Sequence, residues 1–200
     1  MNELKVKMNF KLGLTGSVGM GKTTVSNIFR EHNIPVWSAD SVVHQLYKPN
    51  AKGTAVINEI FPDVISEKGV CRKKLSRLII QKPRLIKTIE KKIFPLVKLN
   101  RDEFIKQNSS KVLLVFDIPL LYETNAHLWL DSVLVVTAPK KVQQKRVMDR
   151  EGMTKKKLDF LLSKQLPDKN KCDRADYVIN THVPLKILNQ TVRRLINDLV

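Results

Sequence analysis

Apolar residues along this chain gather into five short, continuous runs. These are Phe10-Lys11-Leu12-Gly13-Leu14, Ile34-Pro35-Val36-Trp37, Val112-Leu113-Leu114-Val115-Phe116, Val133-Leu134-Val135-Val136 and Tyr177-Val178-Ile179-Asn180. Runs that are continuous rather than alternating read as strands buried on both faces. That is the signature of a parallel sheet covered by helices. The stretches between them carry helical period. Val25, Ile28 and Phe29 follow the first strand at helical spacing, and Leu185, Leu188, Val192, Leu195 and Leu199 close the chain at steps of 3 and 4. The closing stretch predicts an amphipathic helix that packs back on the sheet.

Two segments depart from this alternation. Between the second and third strands lie about 70 residues of helical pattern, expected to hold no strand of their own. Val56-Ile57 with Ile60-Phe61 marks one helix and Leu75, Leu78 and Ile79 a second. Ile86, Ile89, Ile93 and Val97 mark a longer third, expected to be interrupted at Pro95, which lacks an N–H and crowds the preceding turn. After the fourth strand, residues 142–150 read as a helix beginning past Pro139, and Glu151-Gly152-Met153-Thr154 breaks it. Thr154 then caps a helix carrying Leu158, Leu161 and Leu162. Arg146 and Arg150, four apart, are expected on one side of the first of these helices. A helical hairpin bearing arginines suits a lid that closes over a phosphate donor and excludes water.

The junction of the first strand and first helix carries the chemistry. Gly16-Ser17-Val18-Gly19-Met20-Gly21-Lys22-Thr23 reads G-x-x-x-x-G-K-[ST], a phosphate-cradling P-loop. Its glycines let backbone N–H groups approach phosphate oxygens, Lys22 supplies a positive point charge and the Thr23 hydroxyl is the expected Mg²⁺ ligand. Strand, loop and helix together aim a helix N-terminus at an anion. Asp40 follows the second strand, where ligands of a doubly wound sheet bind, and could orient or deprotonate an acceptor hydroxyl. Its bland alternative is an N-cap for a helix over 41–47. Asp117 ends the most apolar strand, as a Walker-B carboxylate does; its alternative is a turn residue ahead of Pro119.

Length and charge narrow the partners. Two hundred residues suggest one domain. No apolar run approaches the roughly 20 residues that cross a bilayer. Residues 1–7 lack the pattern of a signal peptide, so a cytoplasmic location is expected. Cys71 and Cys172 form no CxxC pair, and His32, His44, His127 and His182 have no metal-ligand spacing. The net charge of +17 is concentrated: residues 68–106 carry +10 and residues 140–174 carry +7. These segments could flank a site for a polyanionic small molecule, or they could be solvated lysine-rich surface. A nucleic-acid partner ranks last, because aromatic residues are not interleaved with the charge.

Across nearly its whole length, in order, the chain resembles the dephospho-CoA kinase family. Leu14-Thr15-Gly16 leads into the P-loop and Ala39-Asp40 follows strand two. Asp117-Ile118-Pro119-Leu120-Leu121-Tyr122-Glu123 resembles the family's D-x-P-L-L-[FY]-E, the most specific match. Gln144, Arg146 and Arg150 fit Q-x-R-x-x-x-R, Gln165 fits a lid glutamine, and Ala175-Asp176-Tyr177-Val178-Ile179-Asn180 fits the A-D-Y-V-I-x-N close. The chain departs from the family pattern at Ser17, where a glycine is usual, at Ser38, where an aspartate is usual, and at Phe94, where a histidine is usual.

The resemblance implies a three-layer α/β P-loop NTPase fold. A parallel five-stranded sheet would form the nucleotide-binding core (8–48, 111–140, 175–200), with a helical substrate-binding insertion (49–110) and a lid (141–174) in one kinase domain. It implies transfer from ATP, with Mg²⁺, to the ribose 3′-hydroxyl of dephospho-CoA. Gly16, Ser17, Val18, Gly19, Met20, Gly21, Lys22, Thr23, Thr24, Arg146 and Arg150 would hold the nucleotide. Asp40, Lys22 and Arg146 would carry catalysis, and Asp40, Arg72, Asp117, Leu120 and Leu121 would meet the acceptor, with no obligatory protein partner and no membrane. A nucleoside monophosphate kinase and a P-loop nucleic-acid-binding NTPase are the alternatives.

Overall fold

The fold is described from a computed structural model covering residues 9–200; residues 1–7, read above for a targeting signal, lie outside the described residues. The chain forms two units, one built from the stretch up to Trp37 together with Asn108–Val200, the other from Ser38–Gln107.

The first unit is centred on a sheet of β1 (Phe10–Thr15), β2 (Val36–Ser38), β5 (Leu113–Asp117), β6 (Ser132–Thr137) and β7 (Tyr177–Asn180), in the order β2-β5-β1-β6-β7. Strand β1 runs parallel to both neighbours, with Leu14 opposite Asp117 on one side and Leu134 on the other. All five runs expected as strands are strands, and the order reverses around β1, so the loop leaving β1 opens at a switch point.

Successive side chains of each strand take opposite faces. Leu12, Leu14, Leu113, Val115, Leu134 and Val136 meet Val25, Ile28 and Phe29 of α1 (Lys22–Glu31) and Leu188, Val192, Leu195 and Ile196 of α9 (Leu185–Leu199). On the other face Phe116 stacks edge-on against Trp129, centroids 4.9 Å apart, and lies 6.0 Å from Trp37. Each fully buried aromatic or leucine side chain contributes about 1.5–3 kcal/mol. This double-sided burial explains the unbroken apolar runs.

After β6 the chain forms α6 (Lys140–Met148), α7 (Lys155–Ser163) and α8 (Asp168–Asp173). The Thr154 hydroxyl caps α7 by accepting the Lys157 N–H at 3.3 Å. Helix α6 ends at Met148, so Arg150 lies in the turn beyond it and does not share a helical face with Arg146.

The second unit holds α2 (Ala39–Leu46), α3 (Lys52–Ile60), α4 (Arg72–Gln81) and α5 (Leu85–Gln107) around Ile57, Val64, Val70, Leu75, Ile89 and Ile93. Two expectations need correction here. Strands β3 (Ile65–Ser66) and β4 (Gly69–Val70) form a small antiparallel hairpin where none was expected, because two-residue strands leave no period to read. Helix α5 also runs unbroken through Pro95. The carbonyl that Pro95 deprives of a partner belongs to Lys91, and both residues are exposed, so water can satisfy it. Phe94 is half-exposed on the same helix.

Candidate active site

The P-loop leaves the buried end of β1 and feeds α1. Gly21, the residue before α1, has φ +85°, and a Cβ there would stand 2.7 Å from Thr181 Oγ1. Only glycine takes that backbone form cheaply and leaves room for Thr181. No described side chain caps α1 and its first turn holds no acidic residue. The Lys22 and Thr23 N–H groups and the dipole's positive end are therefore offered to an anion, while the Thr24 N–H donates to the Gly21 carbonyl at 3.1 Å. The side chains of Thr23 and Thr24 are exposed on that turn.

The loop is gripped on both flanks. Gln143 Nε2, on α6, donates to the Val18 carbonyl at 2.8 Å, and the Val18 N–H donates to Gln165 Oε1 at 3.1 Å. The Met20 carbonyl accepts the Thr181 hydroxyl at 2.9 Å. The Arg146 guanidinium donates to Thr181 Oγ1 at 2.8 Å and to its carbonyl at 3.0 Å. Ser17 is buried and Gly16 is held against Val136 at the end of β6. Arg146 thus stands beside the loop, whereas Arg150 is exposed beyond the helix end.

Asp117, buried at the end of β5, forms an ion pair with Lys22 Nζ and accepts the Ser26 hydroxyl at 3.0 Å. The two halves of the motif, cation and strand-end carboxylate, are therefore in contact. In the segment that follows, Leu120 is partly exposed and the Leu121 side chain is fully buried, its Cδ1 packed against Gly13. Glu123 Oε1 accepts the Leu166 N–H at 2.7 Å and lies 2.9 Å from Lys171 Nζ, whose side chain is fully buried. Tyr122 lies under the Arg174 guanidinium, 4.4 Å from its ring centroid. Burial pushes its phenol above the ordinary 10.0, partly offset by Arg174.

Asp40 and Arg72 lie in the helical unit. Asp40 is exposed in the first turn of α2, and the helix is capped instead by Ser38, whose hydroxyl accepts the Ser41 N–H at 3.4 Å. The Asp40 carboxylate has no capping task. Arg72 opens α4; burial raises the Tyr47 phenol above 10.0 and the nearby Arg72 charge opposes this.

Sequence reasoning missed Gln143, Thr181, Ser26 and the Glu123–Lys171 pair. The glutamine matched to the family pattern was Gln144, but Gln144 is exposed and its neighbour Gln143 is the buried one that holds the loop. Helix phase relative to the loop decides which of two adjacent glutamines points inward, and no periodicity within α6 fixes it.

A β1–P-loop–α1 unit at the switch point of a parallel sheet, with a strand-end aspartate and a flanking arginine, defines a P-loop kinase fold. The solved structure of a protein from Thermus thermophilus superposes with a TM-score of 0.86 at 26% identity, covering 96% of this chain and 98% of that one. A family model described as dephospho-CoA kinase matches residues 10–186, and the chain belongs to that family. The curated dephospho-CoA kinase of Bartonella quintana is 41% identical over 191 residues, 94% of this chain and 97% of that protein. That of Zymomonas mobilis is 41% identical over 189 residues, 94% and 96% respectively. The chain is thus a kinase, a transferase that takes ATP as substrate. Among the described residues no helix is long and apolar enough to cross a membrane.

Proposed function

We propose that this chain transfers the γ-phosphoryl group of ATP to the ribose 3′-hydroxyl of dephospho-CoA, giving coenzyme A and ADP in the last step of that cofactor's synthesis. The observation that carries the reading is the uncapped, glycine-shaped P-loop with Lys22 and Asp117 in contact beside it, in a chain of which 94% aligns with a curated dephospho-CoA kinase.

The residues fit the reactants. The α1 N-terminus and the loop N–H groups would bind the phosphates, with Lys22 and Arg146 neutralising their charge. Thr23, exposed at the first turn, would hold Mg²⁺, which would supply neutralisation of the charge that develops as the phosphoryl group transfers. Asp40, free of the capping role, would orient the acceptor hydroxyl and take its proton as the bond to phosphorus forms. The helical unit would bind dephospho-CoA, with Arg72 facing its pyrophosphate; α6, α7 and the loops around them would form the lid, with Arg150 on it. The work of the protein is then positioning and charge neutralisation in an in-line transfer. A cytoplasmic location goes with this reading.

ADP release monitored by a coupled assay tests it. Dephospho-CoA should trigger turnover with coenzyme A as product, and mononucleotides and RNA should not. Turnover with a mononucleotide instead would replace this acceptor.

A further inference from the structure

Among the described residues, Lys171 is the one buried lysine, with no exposed surface, and its ammonium faces Glu123 at 2.9 Å. The contact has the distance of an ion pair without hydrogen-bond angles, so Lys171 holds Glu123 by charge rather than by a directed bond. An isolated buried charge of this kind is strongly unfavourable, and a buried pair often stabilises a fold no better than apolar residues of similar size. Stability alone therefore does not account for the pair.

The geometry supplies one. The Glu123 oxygen facing Lys171 also accepts the Leu166 N–H at 2.7 Å. Leu166 follows Gln165, whose side chain accepts the Val18 N–H of the P-loop at 3.1 Å. The chain that leaves α6 and passes through α7 therefore returns at a point fixed by Glu123, and the next residue back reaches the P-loop. Glu123 itself sits six residues past Asp117, on the segment leading out of β5.

We infer that Glu123 and Lys171 form a positioning pair for nucleotide binding: Lys171 orients Glu123, Glu123 pins Leu166, and Gln165 is thereby held on Val18. The pair touches neither reactant and acts through Gln165. It rests on the assignment of residues 16–23 as the ATP site, and it adds a route by which the segment after Asp117 sets the shape of that loop.

Three variants test it. Glu123→Gln with Lys171→Met removes both charges, and with them the force that orients residue 123, but keeps an oxygen that can accept from Leu166; Kd and KM for ATP should rise about threefold. Glu123→Leu with Lys171→Met also removes both charges but deletes the acceptor. Its Tm should fall about 2–6 °C below that of the Gln pair, because the Leu166 N–H loses its acceptor, while Kd and KM for ATP rise about tenfold, as loss of one positioning hydrogen bond implies. Gln165→Ala, which leaves the pair untouched, should raise Kd and KM for ATP by a similar factor and lower Tm by about 2–4 °C, the cost of about one hydrogen bond. Wild-type ATP affinity in the Leu pair means the ion pair only supports the fold and overturns the proposal. If the Leu pair fails to fold, the Gln pair and Gln165→Ala decide together, and wild-type affinity in either overturns the proposal. Affinity is read by titration with a non-hydrolysable ATP analogue, so the result stands apart from whether dephospho-CoA is the acceptor.

Discussion

Thr181→Val isolates the hydroxyl that ties β7 to the P-loop. Thr181 is buried, and its Oγ1 donates to the Met20 carbonyl at 2.9 Å and accepts from Arg146 Nη1 at 2.8 Å. Valine has nearly the same shape, so no cavity opens, and the second Arg146 bond, to the Thr181 carbonyl, survives. The loss is one neutral and one charge-assisted hydrogen bond, together about 3 kcal/mol. For a chain of this size each kcal/mol moves Tm by about 2–4 °C, so calorimetry should record a fall of about 6–12 °C. Turnover measured against ATP should show a raised KM, because the Met20 carbonyl and the Arg146 guanidinium both lose a fixed partner. Thr181→Ser keeps both bonds and gives up a methyl group, and should cost about 1 kcal/mol. A valine variant as stable as wild type, or a serine variant worse than valine, would show that the methyl group and not the hydroxyl holds this contact.

Asp40→Asn should abolish turnover while ATP still binds; kcat near wild type would remove Asp40 from the chemistry. Gly69→Ala should destabilise the helical unit by about 3 kcal/mol or more, because φ is +86° and the new Cβ would overlap the Tyr47 carbonyl oxygen; limited proteolysis with cleavage sites mapped between residues 38 and 107 checks it. Burial raises the Tyr47 and Tyr122 phenols above 10.0. The folded state therefore keeps protons that the unfolded chain releases first, so their contribution is full below pH 10 and is lost as pH rises through the folded values. Denaturant midpoints measured on either side of that pH should show the decline, and Tyr122→Phe should flatten it; an equal slope in the variant would refute the Tyr122 part.

The central sheet was legible because its strands are buried on both faces, which makes them continuous apolar runs, and the P-loop because its backbone demands fixed residue types. What escaped reading depends on distant packing. Lys171 reads as one more solvated lysine in a +7 segment, and only the folded position of Glu123 reveals it as buried. Pro95 signals a break by local rules, yet the exposure of Lys91 removes the penalty. Ser38 looked like a lost carboxylate beside Asp40, but its hydroxyl can cap α2 as an aspartate would. In the active site the motif residues were visible, whereas Gln143 and Thr181, which give the loop its shape, lie 125 and 161 residues from their partners.

The ion pair between Lys22 and Asp117 sets a threshold for what can occupy the loop. An anion that draws the lysine away must outcompete a carboxylate already seated on it and leave that carboxylate buried beside Ser26. A lone phosphate or sulfate offers one group in exchange for one group and gains little. A triphosphate also engages the loop and the helix N-terminus, so its other contacts meet the cost of the exchange. The Lys22–Asp117 contact would thereby favour a polyphosphate over a single phosphate or sulfate.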